Sequence, residues 1–220
     1  MAGRPKNLIF ASQVKPDMRF RDAVNNDIEI VTNTDKVLVY DRPIGTEGLT
    51  WDDLQAWWAD LNSIPNDKTA KNTLYRRLLA SLPDNSPPQR LLFESYFKRF
   101  KTAIPGLPAL LPELWLHWDP KTVRERGRDA LFRFRMDFLL LLPGGVRVVL
   151  EVDGRQHYAD EEGKANPARY AAMAAADREL KLAGYHVFHF GGAELREDTA
   201  EEVGGAFFDA LFKRFGLTIR

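Results

Sequence analysis

Two carboxylates stand where a core strand should be apolar. In the stretches 132–138 (Phe-Arg-Phe-Arg-Met-Asp-Phe) and 148–157 (Val-Val-Leu-Glu-Val-Asp-Gly-Arg-Gln-His), the side chains with chemistry to offer are Asp137, Glu151, Asp153 and His157. Both stretches alternate with the period of two expected of strands. One face carries Phe134, Met136, Phe138, Leu140 and Leu142, matched after the turn by Val146, Val148, Leu150 and Val152. The other carries Arg133, Arg135, Asp137, Leu139 and Leu141, then Arg147, Val149, Glu151 and Asp153. If Pro143, Gly144 and Gly145 form a three-residue loop, Leu142 pairs with Val146. Asp137 then lies across from Glu151, and Arg135 across from Asp153. A two-residue Gly-Gly turn instead shifts every pair by one.

Cross-strand partners have Cβ atoms roughly 4.5–5.5 Å apart, and like charges placed there are destabilising. Such a pair raises the pKa of one acid or holds a cation. A divalent metal is the economical reading: Mg²⁺, or Mn²⁺ in its place, favours carboxylate oxygens and keeps several waters beside one or two of them. That metal can activate a water and stabilise charge on a phosphoryl group. The backbone carbonyl of Val152, between the two acidic positions, offers a further oxygen. Asp153 and His157 sit at the mouth of the strand, where a ligand or proton-transfer group acts. Glu94, on an earlier helix, is a further candidate to bind metal through water or orient the nucleophile. The plainer alternative is a structural ion-pair ladder of Arg133, Arg135, Asp137, Glu151 and Asp153 with no metal.

The elements that must position these groups read as follows. Stretch 27–40 looks like a hairpin, with Ile28 and Ile30 before Thr32-Asn33-Thr34-Asp35 and Val37, Leu38 and Val39 after it. Thr50 caps a helix, with Asp53 at capping-box spacing. Trp51, Leu54, Trp58 and Leu61 line one side of that helix, with Trp57 beside them. Burial against neighbouring helices is the expectation for this aromatic group, ahead of base stacking. Stretch 67–82 is a second helix, and Pro83-Asp84-Asn85-Ser86-Pro87-Pro88 breaks the chain. That break divides an N-terminal part, 1–85, from 86–220.

Pro87-Pro88 opens a helix reaching about residue 104, and a short strand follows at 114–118. Lys121, Arg124, Arg126 and Arg128 then stand against the single acid Glu125 just before the carboxylate strands, either as a solvated loop or as cations placed to clamp phosphates. After the carboxylate strands, Pro167 opens a helix with Tyr170, Met173, Asp177 and Leu180 on one stripe, ending at Gly184. Stretch 185–190 is a strand and 199–215 a closing helix. From Ser86 the order is helix, three strands, helix, strand, helix: an α/β unit around a short mixed sheet.

Composition sets outer limits. The 220 residues, 45% hydrophobic, suffice for one substantial core, or one core with an appended unit. Lys plus Arg and Asp plus Glu are 31 each, so nucleic-acid binding must come from local clusters, not bulk charge. The chain has no Cys, which excludes disulfides, thiolate metal sites and a Cys nucleophile. With no apolar run of membrane-spanning length and no secretory-type start, a soluble cytoplasmic protein is the default.

Arg-Met-Asp-Phe at 135–138, Glu-Val-Asp-Gly-Arg-Gln-His at 151–157 and Ala-Gly-Tyr-His-Val-Phe-His-Phe at 183–190 together resemble the PD-(D/E)XK nuclease superfamily. The likeness is nearest to the branch containing very-short-patch repair endonucleases and their uncharacterised relatives, and covers roughly 86–215. It implies an α/β restriction-endonuclease-like core (helix, three strands, helix, strand) behind a mostly helical N-terminal extension. It implies metal binding at Asp137 and Glu151 and at Glu94, and roles for Asp153 and His157. Some positions depart from the superfamily pattern. Asp153 stands where a water-activating Lys is usual, Asp177-Arg178 lies nearer Gly184 than in the relatives, and Gln89 is nearer than Glu94 to the usual helix position. Residues 1–85 bear a slight resemblance to amino-terminal domains of abortive-infection defence proteins.

The expectation is a metal-dependent endonuclease acting on nucleic acid, DNA before RNA, with Arg124, Arg126, Arg128, Lys121 and Arg135 on phosphates. The N-terminal part would select substrate or a protein partner, and the resemblance implies a role in host defence. The alternatives are a nucleic-acid-binding module that keeps the fold without cutting, and a protein–protein adaptor built on the Trp-rich helix.

Overall fold

The structure is a computed structural model that describes residues 8–12, 17–22, 27–32, 34–115, 135–154 and 164–219. Its centre is a six-stranded sheet. In chain order its strands are β1 (Leu8–Phe10), β4 (Leu38–Tyr40), β5 (Leu111–Trp115), β6 (Arg135–Leu142), β7 (Val146–Asp153) and β8 (Tyr185–Gly191). They lie side by side as β4-β1-β5-β6-β7-β8. All neighbours are antiparallel except β7 and β8, which run parallel. A separate two-stranded sheet joins β2 (Asp17–Asp22) to β3 (Asp27–Thr32). The α/β class expected from sequence is therefore observed, as a mixed sheet with helices.

Three local expectations need correcting. The hairpin over 27–40 does not form: β3 pairs with β2, while β4 pairs with β1. Alternation identified the strands but not their partners: β3 turns back to β2, and β4 joins the main sheet. The N-terminal part is less helical than expected, supplying among the described residues four strands and two α-helices; two of those strands extend the main sheet. The strand expected at 114–118 starts earlier, at Leu111, and is described as far as Trp115; 116–118 lie outside the described residues.

Four helices begin with a local device. In α1 (Trp51–Leu61), Thr50 Oγ1 accepts the Asp53 N–H at 3.2 Å, and Asp53 Oδ2 accepts the Thr50 N–H at 3.0 Å, a complete capping box. In α2 (Asp67–Leu79), Asn66 Oδ1 accepts the Thr69 N–H at 3.0 Å. Pro starts both α3 (Pro87–Arg99) and α4 (Pro167–Leu182), where its missing N–H costs nothing. The closing helix is α5 (Ala200–Arg214).

Trp51, Leu54 and Trp57 are buried, Trp57 packing its ring near Phe10 and Tyr40. The aromatic group of α1 is thus core, as expected, although Leu61 turns out to solvent. One apolar core continues across the 83–88 break, from Phe10, Leu38 and Trp57 through Phe93 and Phe138 to Phe208 and Phe212. Helices α3 and α5 pack together over the sheet; Phe93 stacks on Phe138, and Tyr96 meets Phe208 at 4.5 Å. Burial along the carboxylate strands is not confined to the predicted face, since Leu139 and Val149 are buried too. On that second side α4 packs against β8, and Arg147 reaches the Ala183 carbonyl at the end of α4. The stripe expected on α4 is mostly half-exposed: Leu180 alone is buried, and Tyr170 is exposed. Among the described residues no helix is long and apolar enough to cross a membrane.

Candidate active site

The turn decides where the carboxylates go. Gly144 and Gly145 both take positive φ, 73° and 76°, which glycine adopts without a Cβ penalty. The three-residue loop therefore forms, and the register is Leu142 with Val146 through Phe138 with Leu150. One step further, Asp137 and Glu151 fall at the open end of the hairpin, as the longer loop requires. Backbone pairing stops there. Asp137 is nearly buried, and its Oδ2 accepts the Val152 N–H at 2.8 Å, so a carboxylate takes over as acceptor where the ladder ends.

A third acid joins them from β5. Pro112 pairs with Phe138 and Leu114 with Met136, so Glu113 lies between these pairs, level with Asp137. On the far side Glu151 pairs with His189 of β8. Four adjacent strands thus carry Glu113, Asp137, Glu151 and His189 in one transverse row. The row lies at the edge where β7 and β8 end, the usual ligand edge of parallel strands.

Glu113 is fully buried and has φ of 50°, in the left-handed region that non-glycine residues rarely occupy. Its Oε1 accepts from Gln89 Nε2 at 3.1 Å; its Oε2 has no hydrogen bond among the described residues but lies 3.2 Å from Arg135 Nε as an ion pair. Burial raises its pKa from 4.5 to about 7; Asp137 pushes it up, while Arg135 and the Gln89 hydrogen bond pull it down. Glu151 is held well above the usual carboxylate range, first by burial, then by the charges of Asp137 and Asp153. A hydrogen bond from the Asp137 backbone and the Arg135 charge oppose that rise.

At the other end of the row, His189 sits between two acids. Its Nδ1 is 2.8 Å from Asp153 Oδ2, and its Nε2 is 3.4 Å from Asp177 Oδ1. Asp177 also receives Lys181 Nζ at 2.9 Å. The Asp153 hydrogen bond is the largest influence raising the His189 pKa; burial opposes it, and the Asp153 charge and Asp177 add to the rise.

The residues expected from sequence divide as follows. Asp137, Glu151 and Asp153 come together at one edge. The expected pairing of Arg135 with Asp153 does not occur. The β6–β7 ladder ends at Phe138–Leu150, Arg135 pairs with Trp115 and contacts Glu113, and Asp153 engages His189. Val152 meets Asp137 through its N–H. Glu94 turns away from the row: its charge acts on Tyr75 of α2, and the α3 residue at the row is the buried Gln89. Five helical positions rotate a side chain by about 140°, so Gln89 and Glu94 do not share a face. Lys121, Arg124, Arg126, Arg128 and His157 lie outside the described residues.

Sequence reading missed Glu113 and His189. For Glu113 there was a signal, a lone acid in the apolar run Ala-Leu-Leu-Pro-Glu-Leu-Trp at 109–115. For His189 the signal was a histidine set between Phe188 and Phe190 in a predicted strand.

Among the described residues no group of three or more His, Cys, Asp and Glu side chains is arranged to hold a metal. The donor chemistry at Asp137 and Glu151 nevertheless suits a hard cation. Both are oxygen donors, and burial and like charge disfavour ionised Glu151 in the way a cation would relieve. The chain matches no protein-family model, no curated protein and no solved structure.

Proposed function

We propose that the chain is a metal-dependent nuclease that hydrolyses phosphodiester bonds, in DNA before RNA. The observation that carries this reading is the juxtaposition of Asp137 and Glu151 at the open end of the β6–β7 hairpin, with Gln89 of α3 reaching the same row. The succession α3, β5, β6, β7, α4, β8, with β7 and β8 parallel, supports a restriction-endonuclease-like core of the PD-(D/E)XK kind. Mg²⁺ or Mn²⁺ held by Asp137 and Glu151 would supply a water of lowered pKa and neutralise charge on the phosphoryl group.

The chain's own residues do the rest. Asp137 fixes the end of β7 through the Val152 N–H, which sets the height of Glu151. Asp153 orients His189, which is the register partner of Glu151 on the neighbouring strand. That pair occupies the place where an ammonium group is usual, and His157 is the second proton-transfer candidate. The N-terminal part selects substrate or partner, in a host-defence setting.

A second reading has one specific observation behind it. Asp153 replaces the usual Lys and is engaged with His189, which favours a module that binds nucleic acid without cutting it. Incubation of the protein with plasmid, single-stranded DNA and RNA, in Mg²⁺, Mn²⁺ or EDTA, separates the two. Metal-dependent cleavage lost in Asp137→Ala and Glu151→Ala supports the nuclease; binding with no cleavage of any substrate supports the module.

A further inference from the structure

Glu113 is an odd residue to bury. It sits at 0% exposure in a backbone conformation unsuited to a β-strand, and one carboxylate oxygen makes no hydrogen bond among the described residues. Strain and unsatisfied buried polar atoms concentrate at functional sites. Its cationic partner Arg135 has a side chain 37% exposed while Glu113 is dry, so the ion pair runs from the interior to the surface. Gln89 holds the other oxygen from α3, so the carboxylate is anchored on one side and aimed at Arg135 on the other.

We propose that Glu113 is a positioning residue that fixes Arg135 at the rim of the carboxylate row, as the cation that receives a nucleic-acid phosphate. The inference rests on the nuclease or nucleic-acid-binding reading above and assigns a residue that neither required. The contact is made through Arg135 Nε. An arginine engaged at Nε keeps its two terminal nitrogens for a second partner, and paired nitrogens fit a phosphate. Arg135 also acts electrostatically on Glu151, so a phosphate bound to it lies near an acid that would hold the metal.

The test measures binding of a short labelled DNA, single- and double-stranded, by fluorescence anisotropy over a salt series. It compares the intact chain with Glu113→Gln, Arg135→Ala and the double variant, with the melting temperature of each recorded. Glu113→Gln keeps the shape and the amide contact but removes the charge. It is expected to melt no lower than the parent yet to bind DNA about three- to tenfold more weakly. Arg135→Ala is expected to weaken binding at least as much and to reduce the salt slope by about one. The double variant is expected to match Arg135→Ala, because both act through one guanidinium. Where cleavage is measurable, Glu113→Gln raises KM and leaves kcat within about twofold.

Parental binding in Glu113→Gln, or additive losses in the double variant, overturns the positioning role and leaves the nuclease reading standing. An intact chain that neither binds nor cuts any nucleic acid overturns both.

Discussion

Asp153 Oδ2 lies 2.8 Å from His189 Nδ1 and ties the ends of two parallel strands together. Asp177 of α4 approaches the other ring nitrogen at 3.4 Å and is itself held by Lys181; Glu151 is the neighbour on β7. A base whose pKa is higher in the folded chain binds more protons folded than unfolded. Its contribution to stability is fully present below the ordinary histidine value of 6.5 and is lost as pH rises through the elevated one. His189→Gln is therefore expected to lower the melting temperature most in mildly acidic buffer, and progressively less as pH rises. A deficit that does not change with pH argues against the charged imidazole.

Glu113 shares that direction for a different reason: burial penalises its charged form. Its folded pKa is about 7 against 4.5 ordinarily, so the folded chain takes up a proton between these values and loses stability as pH rises across that window. Glu113→Gln is expected to stabilise the protein by about 1–3 kcal/mol above pH 7 and by little near pH 4.5. Urea unfolding at the two pH values measures the difference. Destabilisation at high pH would mean that the ion pair with Arg135 outweighs the cost of burial.

Metal binding has a readout that needs no substrate. Mg²⁺ or Mn²⁺ is expected to raise the melting temperature of the intact chain and to do so far less in Glu151→Gln, since a ligand of the folded state stabilises by mass action. In EDTA the same substitution is expected to be neutral or stabilising, because burial and the Asp137 and Asp153 charges oppose ionised Glu151. An equal metal-dependent shift in both proteins would remove Glu151 from the ligand set.

Gly48 supports the hairpin from outside the site. It has φ of 80°, and a Cβ there would stand 2.2 Å from the Leu141 carbonyl oxygen, which already accepts the Leu49 N–H at 3.0 Å. Gly48→Ala is expected to cost more than about 2 kcal/mol, visible as a lowered urea midpoint. A neutral substitution would mean the 45–49 loop moves off β6 freely.

Local chemistry was legible in the sequence; partnership between distant strands was not. The Pro143-Gly144-Gly145 loop and the Thr50–Asp53 capping box are short-range features, and both formed as read. The meeting of Asp137 with Glu151 followed from the loop alone. Glu113 entered the row because β5 packs beside β6, which no local pattern states. His189 entered because a parallel crossover through α4 fixed its register with Glu151. The hairpin over 27–40 failed for the same reason in reverse: alternation marks a strand, and the choice among available edges is made by the whole sheet. Glu94 yielded to Gln89 because helical rotation, not proximity in sequence, decides which side chain reaches the sheet.

The Pro143-Gly144-Gly145 loop is a phase setter as much as a connector. One inserted glycine would slide β7 by one residue against β6, and strand alternation would carry Glu151 to the opposite side of the sheet. Valine or leucine would then stand between Asp137 and His189, with the composition of the site almost unchanged. The charge pattern at this edge is therefore encoded in a count of three residues located at the other end of the strands.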